Sequence, residues 1–221
     1  MRSLILVAAL FCAASSALAV SQNYGSFTGD TVVFGNVTED SSTDPLPLYG
    51  TPTILSDSIA FSPISFQSIS AGKNGHDETM GSVAMTITAN PGRYLTDIQV
   101  QEAGDVTLVG NGNQATNASV TALLQLTVRQ IDGVAVTPFQ LTEPLVYPTG
   151  SEFDLGSNGQ LAGIWNGSVN VDVAAWLARS GIAGHATQID FSMSNDLLTN
   201  SQRGTYSLIK KKDIEGSTLS I

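Results

Sequence analysis

Three acidic residues near the start of the chain are the first candidates for metal chemistry. Glu39, Asp40 and Asp44 lie close together in a segment rich in Ser and Thr. Calcium binds several oxygen atoms from carboxylates, amides and backbone carbonyls. The segment therefore predicts a structural calcium site, although it lacks the spacing and central glycine of an EF-hand loop. The alternative is a solvated acidic loop, and we expect any bound ion to order the loop rather than to catalyse.

Aromatic residues beside turn residues are the candidates for a carbohydrate-binding surface. Tyr94 and Tyr147 lie near predicted turns, and Trp165 lies in the segment GIWNGS. A flat ring that is exposed beside polar groups can pack against a sugar. Because Trp165 alternates with glycines, it is either an inward anchor of the core or an exposed ring, and inward packing is favoured. These three residues are the predicted ligand-binding residues.

Residue types that commonly catalyse reactions are sparse. The two histidines, His76 and His185, lie far apart in polar segments without metal-ligand spacing. The sequence contains no nucleophile elbow, zinc-protease motif, P-loop or dinucleotide fingerprint. Four acids are candidates for the paired carboxylates of a glycosidase, although no spacing brings two of them together: Glu102, Glu143, Glu152 and Asp154. We therefore predict a protein that is not an enzyme.

The first 19 residues have the features of a secretory signal peptide. Arg2 gives a short positive region, residues 4–11 (LILVAALF) are apolar, and Ala17-Leu18-Ala19 is a cleavage signal. The apolar run is shorter than the about 20 residues that cross a membrane. We predict cleavage before Val20 and a secreted protein, extracellular or at the cell surface, with no membrane span in the mature chain.

Charge and cysteine content limit the partners of the mature chain. The whole chain has 9 basic and 19 acidic residues and a net charge of −10; removing residues 1–19 takes away Arg2 and leaves −11. Such a chain repels the phosphate backbone, so we expect no nucleic-acid partner. The single cysteine, Cys12, lies in the leader, so the mature chain has no disulfide and no thiolate site.

Short alternating apolar runs between turn residues predict the fold. They favour one all-β domain over residues 20–221, an antiparallel sandwich of jelly-roll-like type with at most one short helix. Two hairpins are expected, at Ala103-Gly104-Asp105 and at Asp132-Gly133. The helix is expected at 173–178, capped by Asp172. The candidate strands are 31–37, 58–66, 82–89, 95–102, 105–109, 119–129, 134–141, 161–173, 188–193 and 206–209.

Three consecutive lysines near the end of the chain stand out against its acidity. Lys210, Lys211 and Lys212 follow a predicted strand. Lysines on an exposed edge strand oppose pairing with other chains. We expect them to protect or interrupt an edge, and the alternative is a docking site for an anionic glycan.

Four segments carry a similarity to exported bacterial proteins: DTVVFGNVTEDSSTDPLPLYGTP, DSIAFSPISF, ITANPGRYLTDIQVQEAGDVTLVG and IDFSMSNDLLTNSQRGTYSLIKKKDIEG. In this order they resemble the secreted PEP-CTERM-type β-sandwich proteins of planctomycetes and related bacteria. The resemblance covers nearly the whole mature chain and implies a surface or matrix β-sandwich without established catalytic residues. No sorting tail follows Ile221, so we expect either a released protein or a branch of the family without the tail.

These features together predict a secreted, non-catalytic β-sandwich that acts as a structural or interaction protein of the cell surface or extracellular matrix. The alternative is a carbohydrate-binding module with a structural calcium ion, the one cofactor that the sequence suggests. The expected partners are an extracellular polysaccharide or a surface protein.

Overall fold

A computed structural model describes residues 20–63, 65–212 and 219–220 of the chain. The predicted leader lies outside these residues. Within them, no helix is long and apolar enough to cross a membrane. The strands are β1 Val20–Thr28, β2 Val32–Ser41, β3 Thr53–Leu55, β4 Ser58–Ala60, β5 Gln67–Ala71, β6 Gly75–Ala89, β7 Asp97–Gly110, β8 Asn117–Ile131, β9 Val134–Pro144, β10 Glu152–Asp154, β11 Leu161–Asp172, β12 Ala186–Ser201, β13 Thr205–Lys212 and β14 Leu219–Ser220; the helices are α1 Leu155–Asn158 and α2 Val173–Arg179.

The strands form two antiparallel sheets that pack face to face. Sheet A has the order β1-β2-β6-β12-β8-β10, with β9 also paired to β8. Sheet B has the order β3-β4-β14-β7-β13-β5, with β11 also paired to β7. The chain crosses from β6 in sheet A to β7 in sheet B and returns to β8, as jelly-roll-like sandwiches do, although each sheet has seven strands. The prediction of an all-β antiparallel sandwich is confirmed.

Period-two alternation explains why the long strands form. In β6, Val83, Met85 and Ile87 are buried while their neighbours are partly exposed, and β8 buries Leu124, Leu126 and Val128 in the same way. Successive side chains of a strand point to opposite faces, so each set faces the other sheet. The two inner faces form one continuous apolar core.

One predicted hairpin is present and the other is not. Asp132 and Gly133 both have positive φ, 47° and 78°, as a tight two-residue turn between β8 and β9 requires. Ala103-Gly104-Asp105 lies instead in the middle of the unbroken strand β7, so that prediction is wrong. Gly104 is needed for close packing: a Cβ there would overlap the Lys210 carbonyl oxygen and lie 2.6 Å from the Trp165 ring.

The residues that the structure describes form two short helices, where the sequence indicated at most one. The predicted helix is α2, and Asp172 caps it by accepting a hydrogen bond from Ala175 N at 2.7 Å. The additional helix, α1, is a single turn capped by Asp154, which accepts from Ser157 N at 2.7 Å. Its apolar content is too small to give a helical period, which is why the pattern did not reveal it.

The lysine-rich strand β13 is an interior strand of sheet B, so the prediction of edge protection is wrong. It pairs with β7 on one side and with β5 on the other. Alternation directs Lys210 and Lys212 outward, where both approach the carboxylate of Asp105. The same alternation directs Lys211 inward, into the space between the sheets.

Candidate functional site

Five polar residues meet between the two sheets, and we call them the inter-sheet cluster: Glu39, Tyr49, Glu102, Asn195 and Lys211. Each is at most 6 % exposed. Glu39 and Asn195 come from β2 and β12 of sheet A, whereas Glu102 and Lys211 come from β7 and β13 of sheet B. Buried charges are strongly unfavourable unless they are paired and hydrogen-bonded, so the contacts within the cluster are essential to this arrangement.

Glu102 is the centre of the inter-sheet cluster. Its Oε2 atom accepts hydrogen bonds from Lys211 Nζ, which also forms the salt bridge, and from Asn195 Nδ2 at 2.7 Å. Its Oε1 atom accepts one from the Tyr147 hydroxyl at 2.8 Å. The Tyr49 hydroxyl donates to Asn195 Oδ1 at 2.6 Å. One carboxylate therefore joins an amine, an amide and a phenol, and the contact with Asn195 crosses from sheet B to sheet A.

Glu39 is held by local donors at the edge of the cluster. Its Oε1 atom accepts from the backbone N–H groups of Leu48 and Tyr49, the latter at 2.9 Å. Its Oε2 atom accepts from the Tyr24 hydroxyl at 2.5 Å. One carboxylate oxygen thus holds the segment between β2 and β3, and the other binds a side chain of β1.

The structure does not assemble the calcium site that the sequence predicted. Glu39 and Asp40 are consecutive in β2 and point to opposite faces, and Asp44 accepts a hydrogen bond from the Thr43 hydroxyl at 2.6 Å. Across the part of the chain that the structure describes, no group of three His, Cys, Asp or Glu residues is placed to hold a metal ion.

The low-polarity surroundings shift the ionisation of the cluster. Burial, reinforced by the negative charge of Glu102, raises the pKa of Tyr49 and of Tyr147. Burial lowers the pKa of Lys211, and the neighbouring Glu102 only partly opposes this effect. The phenols therefore remain hydrogen-bond donors at neutral pH. The uncharged form of the Lys211 amine is more favourable at this buried site than it is in water.

A small cavity adjoins the cluster. It has a volume of about 60 Å³ and lies against Glu102, Lys211 and the apolar side chains of Ile59, Met85 and Phe191. Ligand pockets for small molecules usually have volumes of about 300–1,000 Å³. The cavity therefore admits one or two small molecules of the size of water but not a sugar ring.

Aromatic rings enclose the amine of Lys211. Its Nζ atom lies 5.4 Å from the ring centroids of both Tyr49 and Phe66, within the range of cation–π contacts. The Tyr49 and Phe66 rings pack edge to face, with centroids 5.0 Å apart. This enclosure excludes bulk water from the amine and strengthens its electrostatic contact with Glu102.

The three predicted ligand-binding aromatic residues differ in their exposure to solvent. Trp165 is fully buried and packs near Tyr147, with ring centroids 6.2 Å apart, so it offers no exposed face to a ligand. Tyr147 is half-buried, and its hydroxyl is bonded to Glu102. Only Tyr94 is exposed, at 48 %, and its ring stacks on His185 with a centroid distance of 4.3 Å.

A shallow groove surrounds Tyr94 on the surface. It has a volume of about 380 Å³, and its lining includes Asn90, Arg93, Asp132 and Thr187. His185 Nδ1 lies 3.2 Å from Asp132 Oδ1, which fixes the stacked pair of rings. An aromatic ring among polar side chains is thus available to solvent at this one predicted position.

Asn195 is a functional candidate that sequence reasoning missed, and Lys211 was assigned a different role. A signal was present in the strand alternation. Asn195 occupies the position after Phe191 and Met193 on the buried face of β12; Glu102 likewise follows Ile98 and Val100. In both strands a polar residue occupies a position where the alternation places an apolar side chain, and this departure from the pattern indicates a buried polar group.

Comparisons with known proteins assign no family to the chain. No family matches, and no curated protein matches. Among solved structures, the chain is similar to endoglucanase 3 of Trichoderma harzianum, from family GH12, at 7 % identity and a TM-score of 0.23, over 93 % of this chain and 98 % of that one. It is similar to the VP2 subviral particle of infectious bursal disease virus at 12 % identity and a TM-score of 0.15, over 85 % and 50 %.

Proposed function

We propose that the mature chain is an exported, non-catalytic β-sandwich that acts as a structural or interaction protein of the cell surface or extracellular matrix. The observation that carries this proposal is the inter-sheet cluster. The Glu102 carboxylate bonds to the Lys211 amine and the Asn195 amide between the sheets, and these groups do not line an open cleft. Such contacts stabilise the position of one sheet against the other. The predicted signal peptide and the resemblance to exported bacterial sandwich proteins support the location.

The outer face of sheet A is consistent with this role. It carries polar side chains such as Thr86 and Arg129, and both of these bind Asp190, at 2.8 and 2.5 Å. An antiparallel sheet with one polar, hydrogen-bonded face can expose that face to water. Such a face can bind a polymer or another protein without catalysing a reaction.

Expression of the complete chain in a secreting bacterium tests the proposal. We expect export, a mature N-terminus at Val20, and no hydrolysis of a panel of β- and α-linked polysaccharides. Hydrolysis that is lost in a folded Glu102→Gln variant would overturn the non-catalytic assignment. Retention of the whole chain in the cytoplasm would overturn the location.

The Tyr94 groove favours a second candidate function, carbohydrate binding. Its exposed ring and polar lining have the composition of a sugar-binding surface. Binding of the mature chain to immobilised polysaccharides, with calcium or with a chelator, tests this function. We expect Tyr94→Ala to abolish binding and Tyr206→Ala, on a different strand outside the groove, to preserve it. Equal binding by both variants would exclude the groove, and loss of binding in chelator would reveal a calcium requirement.

A further inference from the structure

Three groups of the inter-sheet cluster form the components of an acyl-transfer reaction. Lys211 Nζ is a nucleophile, the side-chain amide of Asn195 contains an electrophilic carbon, and Glu102 can carry protons. A single oxygen atom, Glu102 Oε2, accepts hydrogen bonds from Lys211 Nζ and from Asn195 Nδ2. Because both nitrogens bond to the same oxygen, the amine lies beside the amide that it would attack.

We propose that the protein forms an internal amide bond between Lys211 Nζ and Asn195 Cγ, with release of ammonia, and that Glu102 transfers the protons. The bond would join β13 of sheet B covalently to β12 of sheet A. It requires neither export nor a partner, so it does not depend on the function proposed above.

The reaction balances without any further reactant. Glu102 first takes a proton from the Lys211 ammonium, which gives a neutral amine and a neutral carboxyl. The lone pair of Nζ forms a bond to Cγ, and the carbonyl electron pair moves to Oδ1. Glu102 gives its proton to Nδ2 and takes one from the attacking nitrogen. The Cγ–Nδ2 bond then breaks, ammonia leaves with the electron pair, and Glu102 ends as a neutral carboxyl.

The surroundings stabilise the transition state. The Tyr49 hydroxyl donates to Asn195 Oδ1 at 2.6 Å, at the oxygen where negative charge develops. Fixed donors at such an oxygen are among the largest contributions to catalysis of acyl transfer. Burial also lowers the pKa of Lys211, which increases the fraction of nucleophilic amine.

The site also favours the product over the reactants. The amide replaces a buried ammonium and carboxylate with neutral groups, which removes the unfavourable burial of charge. The adjacent cavity of about 60 Å³ can receive the released ammonia, and its mainly apolar lining limits the water that could hydrolyse the new bond.

The intact mass of the denatured, purified protein tests the proposal. We expect a mass lower than the sequence mass by one ammonia molecule, and a tryptic digest containing a branched peptide in which residues 180–203 are joined to 211–212. The full sequence mass for the wild type would overturn the proposal. The same loss of ammonia with unbranched peptides would also overturn it, because Asn-Gly pairs, of which the chain has four, can lose ammonia as cyclic imides.

Substitutions assign the three roles. We expect Lys211→Arg, Asn195→Ala and Glu102→Gln to have their full sequence masses. Lys212→Arg is the matched control, because Lys212 is adjacent but points outward, and we expect it to retain the loss of ammonia. Loss of ammonia in Lys211→Arg or Asn195→Ala to the same extent as in the wild type would show that the ammonia comes from elsewhere and would overturn the bond. Complete conversion to the branched peptide in Glu102→Gln would overturn the role of Glu102. These masses can be read even for a variant that folds poorly, and the wild-type mass together with the branched peptide decides the central point.

Discussion

Glu102 is the residue on which most contacts of the inter-sheet cluster converge. It binds the amine of Lys211, the amide of Asn195 and the hydroxyl of Tyr147. The sequence presented it only as one of four acids that could form a glycosidase pair. Its burial and its partners place it between the sheets, and the groups that it binds would lose this hydrogen-bond partner if the carboxylate were removed.

Removal of the Glu102 carboxylate gives the first prediction at the residue scale. We expect Glu102→Ala to lower the free energy of unfolding by about 3–5 kcal/mol, because it leaves the buried amine of Lys211 without a partner. Urea denaturation of the mature chain measures this change. Glu152→Ala is the control, because Glu152 is exposed in the short strand β10 and we expect a change within about 0.5 kcal/mol. A similar small change in Glu102→Ala would contradict the account.

The effect of Asp196 on stability depends on pH. Its Oδ1 atom is buried without a hydrogen-bond partner, and burial, followed by the charge of Glu78, raises its pKa. The folded state therefore holds the proton of Asp196 more tightly than the unfolded state does. The ionised side chain lowers stability at neutral pH, and this loss disappears as the pH falls below the unfolded pKa of about 4.

Unfolding at two pH values measures this effect. We expect Asp196→Asn to raise the free energy of unfolding at pH 7 and to leave it nearly unchanged below the unfolded pKa. Asp57→Asn is the opposite case: burial would raise the pKa of Asp57, but hydrogen bonds from the Thr31 side chain and from the backbone of residues 30–32 together outweigh it and lower the pKa. Its substitution should lower stability at pH 7 and have less effect in acid. Equal signs for the two variants at pH 7 would refute the assignment.

At the scale of the elements, strand β7 depends on a glycine that resembles a turn residue. Gly104 pairs with Trp165 of β11 and with Lys211 of β13, and a Cβ there would lie against both the Lys210 carbonyl and the Trp165 ring. We expect Gly104→Ala to lower the free energy of unfolding by at least about 3 kcal/mol, because backbone and indole would both have to move. Thermal and urea unfolding measure the loss.

A matched glycine in the neighbouring strand provides the control. Gly163 in β11 has a negative or extended backbone, and a Cβ there would meet only Leu161 and Val106, at 3.4 Å or more. We expect Gly163→Ala to change the stability by no more than about 0.5 kcal/mol. If Gly104→Ala were equally mild, close packing would not be the reason for glycine in β7.

The elements also show what the sequence could predict. Strands β6 and β8 were predictable because large apolar residues recur at every second position, as Val83 and Met85 do in β6 and Leu124 and Leu126 do in β8, a local pattern that needs no knowledge of partners. The buried position of Lys211 was not predictable, because its partner Glu102 lies 109 residues away in the sequence. Asn195, the other partner of Glu102, lies 93 residues from it. Local reasoning treats a lysine as solvent-exposed, and only the pairing of β7 with β13 places a carboxylate beside it.

The same limit explains the predicted site residues. The acidic cluster that suggested calcium binding is contiguous in sequence, but alternation along β2 separates Glu39 from Asp40. Trp165 was correctly favoured as an inward residue by its glycine neighbours, whereas the exposure of Tyr94 depends on the loop that stacks it on His185. Sequence gives residue types and faces, but the assembled site depends on strand pairing across long separations.

At the scale of the whole molecule, polar contacts join the two sheets at more than one place. Besides the inter-sheet cluster, the hydroxyls of Ser68 in β5 and Thr199 in β12 lie 2.8 Å apart, and the Ser207 hydroxyl in β13 donates to the Asn117 carbonyl in β8 at 2.7 Å. Apolar packing alone is not directional, whereas these bonds fix how one sheet lies on the other. The interior is therefore organised to hold the sheets in one arrangement.

Hydrogen–deuterium exchange of the mature chain, followed by mass spectrometry of its peptides, tests most directly whether the cluster is sealed and structural. We expect the amides of β7, β12 and β13 to exchange only through global unfolding, with the highest protection in the molecule, and those of edge strand β9 to exchange faster. Fast exchange of β7, β12 and β13 through local opening, at rates like those of β9, would show that the cluster is accessible to solvent and would contradict the account.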